Sequence, residues 1–136
     1  MADAHKWSKS LQDLEGADWG DPQSAETQMI GRVLALRRKP LATLANAELR
    51  LAVGQRVGLT ILLDLAVEKV RDNPLLECDF YPGDLLAALV RLDDKDWGSR
   101  TDLRAEVAAY FQDVMERTGE DADTFRDAFA FASKHR

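Results

Sequence analysis

The residue types that perform chemistry are few here, and their spacing does not assemble them. The two histidines, His5 and His135, stand near opposite ends of the 136-residue chain. A nucleophile–histidine system needs its base held rigidly beside the nucleophile, and chain ends are poorly suited to that. Cys78 is the one cysteine, so neither an internal disulfide nor a cysteine-rich zinc site is available. No basic residue lies within three positions of it to lower its pKa, and it reads as an ordinary half-buried thiol. Asp93-Asp94-Lys95-Asp96 clusters three carboxylates but lacks the terminal glutamate of a calcium loop, and reads as a solvated acidic turn. Gly54-Gln55-Arg56-Val57-Gly58 matches neither dinucleotide nor phosphate-loop patterns, and reads as a bend or a close helix approach. Paired carboxylates for hydrolysis need only proximity in space, and no spacing selects a pair. No catalytic residue, cofactor or metal ligand is assigned, and binding without catalysis is the expected mode of action.

The elements that must position these residues are helices. The expected fold is all-α, one compact domain over residues 1–136 with six or seven helices. Ser8 is read as the cap of a short helix carrying Leu11 and Leu14 and ended by Gly16. Ser24 opens a second helix, bearing Met29, Ile30, Val33, Leu34 and Leu36 and stopped by Pro40. Arg37, Arg38 and Lys39 stand at its C-terminal end, where cations suit the dipole. Asn46 is read as the cap of a third helix with Glu48 in its first turn. Residues 59–71 are apolar on most sides, as expected of a helix at the centre of a fold. A fifth helix follows Asp84, a sixth starts at Ser99 or Thr101 and ends at Gly119, and a last one begins near Asp121. Phe125, Phe129 and Phe131 of that last helix are expected in the core or an interface. No stretch alternates as a strand does, and no repeat or low-complexity linker interrupts the chain.

Composition narrows the function classes. Apolar residues make up 46% and charged residues 31%, typical of a globular domain. The longest apolar stretch, residues 57–67, contains Asp64 and falls far short of the ~20 residues of a membrane span. The N-terminal residues contain no apolar signal region, so a cytoplasmic protein is expected. The net charge of −6 is uneven: residues 1–71 carry nine acids and ten Lys or Arg, whereas residues 72–136 carry fifteen acids and eight. Such a field repels nucleic acid and either attracts a basic partner or simply keeps the protein soluble, and the short basic cluster at residues 37–39 does not offset it. Residues 72–96 hold seven of the acids, and Phe80, Tyr81 and Trp97 lie among or beside them. Acids steer an approaching partner and aromatics anchor it, so this segment is the candidate interface; the alternative reading packs Phe80, Tyr81 and Trp97 into the core and leaves the acids facing solvent.

Particular strings carry a family resemblance. They are Leu49-Arg50-Leu51-Ala52-Val53-Gly54-Gln55-Arg56-Val57-Gly58-Leu59, then Asn73-Pro74-Leu75, then Asp79-Phe80-Tyr81-Pro82-Gly83-Asp84-Leu85-Leu86, and an acidic segment ending in Trp97. With Trp19-Gly20-Asp21-Pro22 and Arg38-Lys39-Pro40-Leu41 before them, they resemble the immunity proteins of bacterial contact-dependent growth inhibition (CDI) systems over roughly residues 10–97. The resemblance implies a cytoplasmic antitoxin that binds the C-terminal toxin domain of a large exported protein and blocks it. Many such toxins are nucleases, often acting on tRNA, with a basic cleft that an acidic partner can cover. The implied partner is thus a basic toxin domain bound 1:1, with no nucleic acid and no membrane. The candidate toxin-binding residues are Glu77, Asp79, Tyr81, Asp84, Asp93, Asp94, Asp96 and Trp97. The alternatives are a helical adaptor or regulatory protein for another basic protein or peptide, and a small carboxylate-dependent hydrolase.

Overall fold

The computed structural model describes residues 6–134, so His5 and His135 lie outside the described residues. Helices run over Leu11–Glu15 (α1), Gln28–Leu36 (α2), Asn46–Gly54 (α3), Leu59–Asp72 (α4), Asp84–Val90 (α5), Asp94–Trp97 (α6), Thr101–Glu116 (α7) and Glu120–Lys134 (α8), with 3-10 turns at Pro22–Ser24 and Leu41–Thr43. No strand occurs among the described residues, where Ser10 with Pro40 and Glu77 with Pro82 form isolated bridges. The chain folds as one all-α domain, as its periodicity implies. The acidic turn at residues 93–96 is itself the start of a helix, one element more than the pattern suggested.

Local hydrogen bonds explain where the helices begin. Ser10 rather than Ser8 caps α1: its hydroxyl accepts from the Asp13 N–H at 3.1 Å, and the Asp13 carboxylate accepts from the Ser10 N–H at 3.2 Å. Gly16, at φ +64°, ends that helix in the left-handed conformation. Ser24 is absorbed by the 3-10 turn that Asp21 and Pro22 start, so α2 waits for Thr27, whose hydroxyl accepts from the Ile30 N–H at 3.1 Å. Asn46 is already helical; the Glu48 carboxylate instead reaches back to the Ala45 N–H at 2.8 Å.

The core lies where α4 and α5 meet between α3 and α7. Leu62, Ala66, Val67 and Val70 of α4 are fully buried, and residues 84–89 of α5 are all buried. Removing a leucine side chain at such positions costs about 2–5 kcal/mol. Between α3 and α4, Arg56 at φ +58° and Gly58 at φ +63° turn the chain; a Cβ at Gly58 would lie 2.7 Å from a methyl of Leu11. Bend and close approach therefore coincide at this glycine. Helix α8 docks on α7 through Phe111, Phe125 and Phe129, with ring centroids 5.0–6.0 Å apart. Arg126 of α8 donates to the carbonyls of Val114 and Arg117 at 3.2 and 2.6 Å, satisfying the open end of α7. Phe131 stays exposed, outside the core.

The basic cluster at residues 37–39 does not form an open patch. Arg37, only 1% exposed, pairs with Glu15, donates to the Ala17 carbonyl at 2.6 Å and stacks on Trp19 at 3.7 Å. Arg38 pairs with Asp18, and Lys39 with Glu48. These contacts tie α1 and the following loop to α2 and α3.

Candidate functional site

The two halves of the acidic segment sit at opposite ends of α5. Its N-terminal end receives the loop of residues 73–83. There the Asn73 side chain accepts from the Leu75 N–H at 3.1 Å, and the Gly83 N–H returns to the Leu76 carbonyl at 3.1 Å. Asp84 organises the interior of the loop. One of its carboxylate oxygens accepts from the Cys78 N–H at 2.8 Å, and the other from the Asp79 and Phe80 N–H groups, both at 2.9 Å. Gly83, at φ +83°, leaves the space that Phe125 fills: a Cβ there would lie 2.4 Å from the Phe125 ring. The Phe-Tyr-Pro-Gly-Asp string is thus a folding device. Burial, reinforced by the charge of Asp84, pushes the Cys78 thiol up to about 12, so it stays protonated at neutral pH.

This architecture sorts the candidate residues. Glu77 and Asp79 are exposed, with no cation paired to either among the described residues, and Phe80 between them and Tyr81 is 64% exposed. Tyr81 is half-buried against the core. Asp84 is 0% exposed and Trp97 3%, so neither presents a side chain to a partner. Their inclusion among surface candidates is corrected on that ground: Asp84 orders a loop, and Trp97 packs in the core.

At the other end of α5, Asp93 and Asp94 are exposed while Asp96 turns inward. The Asp96 carboxylate accepts from the Asp93 N–H at 2.9 Å and from Arg56 Nε at 2.9 Å. Burial opposes its charge, yet the Asp93 N–H and Arg56 outweigh that and hold its pKa below the usual carboxylate value. Asp94 pairs with Arg104 of α7. The turn read as solvated is therefore partly cross-linked.

Three arginines escaped sequence reasoning. Helices α3 and α5 run in the same sense, so Arg50 lies beside Phe80 at one end, and Arg56 beside the Arg91 carbonyl and Asp96 at the other. Arg50, Arg56 and Arg91, with Gly54 and Ala88, line a cavity of about 270 Å³. A basic hollow thus lies between two acidic ends. Arg50 and Arg91 are 41 positions apart, and no motif announces their meeting.

The sequence profile of the CDI immunity proteins matches residues 13–107, a span that contains the acidic loop, the acidic turn and the three arginines. The chain belongs to the CDI immunity proteins. Members of this family are inhibitors rather than enzymes, and the partner of this one is a CDI toxin. The match ends within α7, so the rest of α7 and all of α8 lie beyond it. No curated protein and no solved structure matches the chain. No described helix is long and apolar enough to cross a membrane.

Proposed function

We propose that this CDI immunity protein works in the cytoplasm and binds, one to one, a toxin domain that is a nuclease, with a tRNase as the specific case. The contact face comprises Glu77, Asp79, Phe80 and Tyr81 on the loop and Asp93 and Asp94 on the turn. The observation that carries this reading is the pair Glu77 and Asp79, exposed and without cation partners among the described residues, within three residues of the exposed ring of Phe80. A nuclease must attract a polyanion, so its cleft is basic, and free carboxylates around an aromatic anchor complement it.

The test is co-purification with the cognate CDI toxin domain, followed by light scattering and a tRNA-cleavage assay. A 1:1 complex and stoichiometric loss of cleavage are expected. The Glu77→Lys and Asp79→Lys variants should fold normally yet bind roughly tenfold more weakly or worse. A toxin domain without nuclease activity would overturn the nuclease assignment. Unchanged binding by both variants would remove this face.

A further inference from the structure

Most arginines of this acidic chain already have a carboxylate. Eight are ion-paired, and the described exceptions are Arg32, Arg50 and Arg91. Two of those three line the same cavity. The Arg50 side chain has no hydrogen-bond acceptor among the described residues: its guanidinium rests 5.2 Å from the Phe80 ring, and its Nε is buried without a partner. Arg91 donates to the Phe129 carbonyl at 3.2 Å and lies 4.3 Å from that ring, while its Nε is likewise buried and unpartnered. Arg56, the third cation of the wall, is occupied by Asp96. The wall also depends on a missing side chain: a Cβ on Gly54 would approach Arg50 Nη1 to 2.6 Å.

We propose that this cavity takes the carboxylate of an Asp or Glu side chain of the toxin domain. The proposal rests on the reading that the loop and turn around the cavity contact the toxin. Planar guanidinium forks suit a carboxylate, and two of them on one wall, neither paired with a carboxylate among the described residues, make a preformed anion site. Recognition then has two signs. The acidic rim draws in a basic domain, and the basic hollow accepts only a domain that carries an acid at the matching place. A basic domain without that acid leaves two arginines covered and unpaired, which disfavours it.

The experiment is a double-mutant cycle with the toxin domain used above. Arg50→Gln and Arg91→Gln should each weaken binding roughly tenfold or more, and Arg32→Gln should leave it unchanged. An Asp→Asn and Glu→Gln scan of the toxin should find one position whose loss has no further effect once Arg50 is replaced. Gly54→Ala keeps every charge but displaces the Arg50 head, and should weaken binding as well. Thermal melts check folding; if Arg91→Gln loosens α8, Arg50→Gln carries the cycle, because the Arg50 side chain holds no hydrogen bond among the described residues. Wild-type binding by Arg50→Gln, with Glu77→Lys and Asp79→Lys impaired, overturns the carboxylate site and spares the face. Wild-type binding by all of these variants overturns both. Inorganic phosphate that occupies the cavity and competes with the toxin, with no coupling to any toxin acid, also overturns the proposal.

Discussion

The loop before α5 and the turn after it carry similar acid, yet they use it in opposite ways. In the loop, one carboxylate, Asp84, is withdrawn completely and orders three backbone N–H groups, while Glu77 and Asp79 stay outside with no cation paired to them among the described residues. In the turn, Asp96 and Asp94 are joined to Arg56 and Arg104, so much of its charge is neutralised in place. Formal charge along a segment is therefore a poor guide to charge that a partner can meet. The loop presents free anion on a rigid frame, and the turn mainly fastens α3 and α7 to the end of α5.

The sharpest way to break that contrast is Asp84→Ala. It leaves three loop N–H groups without their acceptor and should cost roughly 3–5 kcal/mol, read from urea unfolding. Toxin binding should fall with it, because the loop loses its frame. Should Asp84→Ala cost no more than a change in the turn, the loop is not held as described.

A second, smaller effect separates the two regions by pH. The folded pKa of Asp96 is depressed from an ordinary 3.8, so its contribution is complete above that value and disappears as pH falls through the lower folded value. Asp96→Asn should therefore lower stability at neutral pH and flatten the loss of stability below about pH 4, measured as melting temperature against pH. An acid limb identical to wild type would show that Asp96 is not the group responsible. The smallest effect belongs to Arg104→Gln. The Arg104–Asp94 pair is well exposed on both sides, so its removal should change stability by less than about 1 kcal/mol in chemical denaturation. A larger loss would make the turn more strongly cross-linked than its exposure implies.

Much of the framework is legible in the sequence. The apolar run of α4, the glycine at the end of α1 and the Pro-Gly-Asp start of α5 are local signals, each acting within about one helical turn. Cap positions were less legible: Ser8 and Ser24 have the right chemistry, but Ser10 with Asp13 and Thr27 after a 3-10 turn made better local bonds. Of the candidate site, the acidic and aromatic composition of residues 77–96 could be read directly. The inward turn of Asp84, Asp96 and Trp97 could not, because a carboxylate or an indole carries no mark of which way it faces.

By itself the sequence determined an all-helical chain, its unequal distribution of charge, a spacing that singles out no catalytic set, and a likeness to the CDI immunity proteins. The first three follow from composition and from periodicities of a few residues, and the likeness rests on particular strings such as Phe80-Tyr81-Pro82-Gly83-Asp84. Only the tertiary structure decided which acids are free and that Arg50, Arg56 and Arg91 surround one hollow between them. Those outcomes depend on how α3, α5 and α7 pack, which brings together groups 35 to 40 positions apart, as Arg56 meets Arg91 and Asp96. Charge can be counted along a chain, but pairing is a property of distance in space.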